Sequence, residues 1–156
     1  MDTSTLLSRL ADHWAAAGVR HATPPPAEAI VEFEARHEVT LPPDFRAYIE
    51  TMNGAAQGRD EMTSDHTVSF WRLDEMEPAT DIPGTHRLFY FADFLIDSHR
   101  YAIALSPNPR EATPVFIVQD TTALQVARSF TEFLSGYIAN HDGTIYGRDP
   151  TPGPAA

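Results

Sequence analysis

The chain has no cysteine and no lysine. The first absence excludes disulfides, Cys-based zinc sites and thiol nucleophiles. The second leaves arginine as the only permanent cation, with 11 arginines against 22 acids and a net charge of −11 when histidine is neutral. Such a surface repels nucleic-acid phosphates and anionic lipid headgroups, and it attracts basic partners. No apolar run approaches the length of a membrane span. Asp2 stands where a secretory leader would carry basic residues ahead of an apolar core, so no leader is expected. The expected location is the cytoplasm, with neither nucleic acid nor membrane as partner.

Catalytic wording is also missing. There is no H-E-x-x-H, no G-x-S-x-G, no Walker A loop and no G-x-G-x-x-G. Gly54 and Gly58 bracket a loop, but no strand–loop–helix context makes it a phosphate cradle. The seven histidines, His13, His21, His37, His66, His86, His99 and His141, never fall three or four apart, so no helix face pairs two of them as metal ligands. Ser129 reads as a helix cap and not a nucleophile. Glycoside hydrolysis needs two acids facing across a cleft, and nothing singles out two from so many. No catalytic residue, cofactor or metal ligand is assigned, and the expectation is a protein that is not an enzyme.

What is present is a foldable domain. Of 156 residues, 42% are hydrophobic and 10% aromatic, enough to bury a core without staples. Leu6, Leu7, Leu10 and Trp14 mark a first helix over about residues 4–17, capped by Thr3 or Ser4 and stopped by Gly18. A proline-rich linker, residues 21–26, precedes a second helix with Ile30 and Phe33 on one face. The segment LPPDFRAYIETMNG, residues 41–54, carries both its helix ends. Pro42 and Pro43 suit the first turn. Phe45, Tyr48, Ile49 and Met52 form an apolar stripe, and Asn53-Gly54 suits a left-handed stop. Residues 55–67 read as a mobile loop. The period then changes to two. Strands are expected over 68–73, 88–92, 99–105, 115–118 and 124–127. Ser129 and Glu132 have capping-box spacing ahead of a last helix lined by Phe130, Phe133, Leu134, Tyr137 and Ile138.

The expected fold is α+β: N-terminal helices, a mostly antiparallel central sheet of about five or six strands, and a closing C-terminal helix. Phe45, Tyr48, Ile49, Met52, Phe89, Phe91, Phe130 and Phe133 should share one core. Residues 1–147 are expected to form a single domain and 148–156 a disordered tail.

The acids are unevenly spread. Nine of them (Asp60, Glu61, Asp65, Asp74, Glu75, Glu77, Asp81, Asp93 and Asp97) lie in the middle of the chain against Arg72 and Arg87, a local net of −7. Together with Trp71 they form the candidate partner-binding set. Trp71 has two readings: an exposed interface anchor beside the acids, or a ring covered by a neighbouring helix or loop.

The ordered set LPPDFRAYIETMNG, FWRLDEM, LFYFADFLIDSHRYAIAL and VARSFTEFLSGYI resembles the SUKH superfamily, of the Smi/Knr type, over about residues 30–140. The match departs at residues 95–100. The family often has a glycine-rich turn between its central strands, and this chain has no glycine there. The helix bearing Trp14 also lies outside the usual motif. The resemblance implies a non-catalytic binding module. Most such domains are bacterial immunity proteins that bind polymorphic toxins, often nucleases, encoded beside them. Fungal relatives act as regulators through protein contacts. It implies here a cognate toxin, with a basic domain, neutralised through an acidic surface. The alternative is a scaffold or regulator without a toxin, and behind it a cryptic enzyme on an α+β fold.

Overall fold

The computed structural model describes residues 2–57, 68–80, 82–84, 87–95 and 97–147. Three helices come first: α1 (Thr3–Ala17), α2 (Ala27–His37) and α3 (Pro43–Thr51). Leu6, Leu7, Leu10 and Trp14 form the buried stripe of α1. Its cap is Asp2, not Thr3 or Ser4: the carboxylate accepts the Thr5 N–H at 2.8 Å. A carboxylate there satisfies an orphan donor and also faces the positive end of the helix dipole. Gly18 ends α1 with φ 77°. After α3, Asn53 and Gly54 both take left-handed backbone, with φ of 54° and 78°.

Six strands follow: β1 (Val68–Phe70), β2 (Glu77–Pro78), β3 (Leu88–Phe94), β4 (His99–Ala104), β5 (Val115–Gln119) and β6 (Thr122–Ala127). All pairings are antiparallel, in the order β1-β3-β4-β5-β6, with β2 beside β1 on the same edge of β3. The strand expected over 68–73 ends at Phe70. Arg72 donates its backbone N–H to the Glu75 carboxylate at 2.9 Å, and Leu73–Glu75 turns as a 3-10 helix. That local bond competes with strand continuation and frees the chain to re-enter the sheet as β2. The loop expected over 55–67 is also partly wrong. Ala55 is buried, pairs with His21, and donates to the Phe70 carbonyl at 3.0 Å. Residues 58–67 lie outside the described residues.

A bulge between Tyr90 and Ala92 resets the alternation of β3. Phe89, Phe91 and Ala92 therefore all join the core beneath the helices. Asp93 falls to the other face, where a smaller apolar cluster of Leu88, Ala102, Ala104, Phe116 and Val118 sits. The expected core residues do share one cluster. At its centre the Phe91 ring meets Phe45, Phe130 and Phe133 at 5.9, 5.6 and 5.4 Å between centroids.

The closing helix α4 (Phe130–Ile138) is capped by Ser129, which accepts the Glu132 N–H at 3.1 Å. The return bond of a capping box is shifted by one residue: Glu132 accepts from the Arg128 backbone at 2.7 Å. A second cap comes from far away. Asp44 on α3 accepts both the Thr131 N–H and its hydroxyl at 2.9 Å. The Trp14 indole donates to the Tyr137 hydroxyl at 3.0 Å and fastens α1 to α4. A fifth helix, α5 (Asp142–Tyr146), is held by the Tyr101 hydroxyl, which donates to the Ile145 carbonyl at 2.7 Å.

Two core substitutions should diverge. Phe91→Ala should cost about 3–5 kcal/mol, as a large-to-small change at a packed centre. The Tyr48 hydroxyl is fully buried and has no well-formed hydrogen bond among the described residues; burial pushes its pKa up, partly offset by a weak approach of the Gly54 backbone N–H. Tyr48→Phe should therefore be neutral or stabilise by about 1 kcal/mol. Urea titration reads both, and a large loss in Tyr48→Phe would expose a bond the hydroxyl makes.

His99 gives a pH dependence. It stacks on Phe94 with centroids 4.8 Å apart, and its Nε2 lies 3.2 Å from the Ile145 carbonyl. Burial holds its pKa below the ordinary 6.5, against the opposing pull of that carbonyl. The unfolded chain therefore takes up the proton first. The stabilisation is complete above pH 6.5 and is lost as pH falls from there through the depressed native value. His37 shifts in the same direction. Melting temperature should drop between about pH 7.5 and about pH 5.5, and His99→Phe, which keeps the stack, should flatten that drop. An unchanged slope would remove His99 from the account.

Candidate functional site

Of the ten candidate residues, Asp60, Glu61, Asp65 and Asp81 lie outside the described residues. Of the other six, Trp71, Asp74 and Glu75 lie between β1 and β2, Glu77 is on β2, Asp93 is on β3 and Asp97 is in the β3–β4 hairpin. Trp71 is buried and is not the exposed anchor of the first reading; a cover that can be named is the Arg100 side chain of β4, where the second reading expected a helix or loop. Its indole N–H donates to Asp93 Oδ1 at 2.9 Å. The Arg100 guanidinium covers the ring at 5.3 Å and the neighbouring Tyr90 ring at 4.9 Å. Asp93 is buried as well. Neither residue presents its side chain at the surface, and both support the others.

The buried carboxylate of Asp93 organises the hairpin. Its Oδ2 accepts the Asp97 backbone N–H at 2.5 Å. Ser98 donates its N–H to the Phe94 carbonyl at 2.8 Å and its hydroxyl to the Leu95 carbonyl at 3.1 Å. Leu95 and Asp97 adopt φ of 46° and 68°, left-handed backbone that glycine takes at lower cost. Side-chain bonds thus replace the glycines at this turn. Burial pushes the Asp93 pKa up, while the Trp71 and Asp97 donors pull it down.

The remaining four acids are tied to two arginines. Arg72 holds Asp74 at 3.1 Å and Glu75 at 3.6 Å. Arg100 holds Asp97 at 2.6 Å and Glu77 at 3.0 Å. Asp74, Glu77 and Asp97 remain accessible, with side chains 72%, 45% and 49% exposed, whereas Glu75 is 15% exposed. The sequence count missed this pairing because Arg100 sits just beyond the acid-rich window. Its spacing three residues after Asp97, and that of Arg72 ahead of Asp74 and Glu75, was the available signal. Among the described residues, no three His, Asp or Glu side chains come together as a metal site. No helix among them is long and apolar enough to cross a membrane.

The signature stretch 41–54 has structural work in nearly every position. Asp44 caps α4. Arg46 reaches Glu34 at 3.1 Å, and the same carboxylate accepts the Leu41 N–H at 2.8 Å. The Asn53 carboxamide accepts the Leu73 N–H at 2.8 Å and donates to the Thr23 carbonyl at 2.9 Å. A Cβ on Gly54 would stand 2.3 Å from the Trp71 carbonyl oxygen, so no side chain fits there.

The sequence profile of the SMI1 / KNR4 family (SUKH-1) matches residues 24–136. That span covers α2, α3, the whole sheet and most of α4, and leaves α1 and α5 outside. No curated protein matches the chain significantly.

Both Asp93 oxygens accept from N–H donors, and asparagine offers only one acceptor. Asp93→Asn should cost about 1–3 kcal/mol, although it removes a buried charge. Chemical denaturation measures this, and equal or greater stability would mean that the two bonds do not hold the hairpin.

Proposed function

The chain belongs to the SMI1 / KNR4 family (SUKH-1), and from that premise we propose that it is a non-catalytic protein-binding module. In this reading it neutralises a cognate polymorphic toxin in the cytoplasm through the acidic rim around Trp71. The observation that carries the reading is the sharing of each arginine by two carboxylates. One excess negative charge remains at Arg72 and another at Arg100. The carboxylates are held in place before any partner arrives, so little side-chain entropy is lost on binding. A nuclease toxin carries a basic groove for phosphate. A fixed row of acids can occupy it, and the net charge of −11 steers the encounter. Residues 1–147 serve as one domain in this reading, because Trp14 docks the helix outside the matched span onto Tyr137.

The test is a surface-plasmon salt series against the toxin domain encoded beside this chain. Association should slow as ionic strength rises towards physiological screening. Asp74→Asn with Glu77→Gln should slow association by about tenfold at low salt and change release less, because rim charges act mainly on encounter. Glu75 is left in place because it holds the turn at Leu73. A rate flat in salt, and a double variant that binds like the wild type, would overturn the acidic-rim mechanism.

A further inference from the structure

On the other side of Arg72 lies a groove of about 690 Å³, the size of an ordinary ligand site. Its walls are the proline linker, α2 and the turn at Leu73. Its described lining carries three arginines against two acids, whereas the chain as a whole is strongly acidic. Among the described lining residues are Arg20, Arg36 and Arg72, with His21 and His37, against Glu32 and Asp74.

Two of these cations are available. Arg20 is exposed and has no ion pair among the described residues. Among the described residues Arg36 pairs with Glu32, one turn away, and both side chains are mostly exposed. Such a pair is weak and exchanges readily with a competing carboxylate. Burial, and after it the charges of Arg36 and Arg87, hold the His37 pKa below its ordinary value. Arg87 is anchored there by its bonds to the His37 and Glu38 carbonyls.

The walls are also fixed in advance. Asn53 pins Thr23 to the Leu73 turn. Ala22 and Ala56 donate to the Gly54 and Arg20 carbonyls at 2.8 Å, which sets the linker against the start of the next loop. Pro24, Pro25 and Pro26 have few backbone states to lose. Phe33 and Met76 add apolar surface. Arg20, ahead of the proline linker, and Arg36, on α2, share no partner among the described residues, whereas Arg72 is already held by Asp74 and Glu75. That arrangement suits several carboxylates strung along a chain better than one compact phosphate.

We propose that this groove binds an extended acidic peptide segment of a partner protein, with Arg20 and Arg36 taking its carboxylates and the proline wall and Phe33 flanking its apolar side chains. The groove adjoins the acidic rim at Arg72 and Asp74, and the contacts proposed here are with Arg20 and Arg36.

The experiment uses the full chain and two fluorescent pools of short peptides, with glutamate or lysine fixed at alternate positions and the other positions randomised. Fluorescence anisotropy should show the glutamate pool binding at least about tenfold more tightly than the lysine pool. Arg20→Glu with Arg36→Glu should abolish that preference. Both side chains are exposed, and circular dichroism checks that the variant is folded. Glu111→Gln, at an exposed acid outside both sets of residues, should leave glutamate-pool binding unchanged. Equal binding of the two pools, stronger binding of the lysine pool, or a glutamate preference that survives the double reversal would each overturn the proposal.

Discussion

The Asn53 carboxamide joins three segments that the sequence keeps far apart. It donates to Thr23, thirty residues earlier, and accepts from Leu73, twenty residues later. Each bond satisfies a backbone group that would otherwise be left unpaired at about 1–3 kcal/mol. Gly54 completes the joint, because only a residue without Cβ lets the Trp71 carbonyl approach so closely. The left-handed backbone at both positions ends α3 and aims the carboxamide in the same step. Trp71 inherits its place from this contact. Asp93, Arg100 and the hairpin then build on Trp71, and the proline linker is held on the opposite side. The acidic rim and the arginine-lined groove are two sides of a single joint.

Much of the scaffold was legible because its signals are local or periodic. The stripe of α3, the Ser129 cap and the alternation of β4 each need only a few neighbouring residues to be read. The failures came where a distant or competing bond decides. Thr3 and Ser4 look like caps by type, but Asp2 reaches the Thr5 N–H and has the charge the helix end favours. Alternation carried the first strand through Trp71 to Leu73, but the Glu75 carboxylate turned the chain after Phe70. The bulge at Phe91 left no mark in a run apolar on both faces. With only five residues, α5 has no helical period to detect. Its anchors, Tyr101 and His99, lie more than forty residues away.

Charge was read correctly in total and incompletely in place. A count over the chain describes the field felt at a distance of a Debye length or more. At contact the individual pairs matter. Arg72 and Arg100 each neutralise one of two acids, so in the proposed reading the rim would steer as a moderate negative patch. A partner cation that binds Asp97 or Glu77 must compete with Arg100, which is held in turn by the Trp71 and Tyr90 rings. That competition limits how much a rim contact adds to affinity and leaves its larger effect on the rate of encounter.

The residues that carry the family resemblance are almost all occupied with holding the fold. Asp44 caps a helix, Glu34 ties α2 to α3, and Asn53 and Gly54 make the joint. Residues so committed cannot vary freely to suit different partners. In the proposed reading, choice of partner would fall to positions the scaffold leaves free: the exposed acids, Arg20 and Arg36 of the groove, and the turn at residues 95–100 where this chain departs from the family pattern. In that turn the family's glycines give way to Leu95 and Asp97 in left-handed backbone, stabilised by a buried Asp93. A glycine turn would be pliable. This one is fixed by side-chain bonds, so it presents Asp97 and Arg100 in a single geometry to whatever binds.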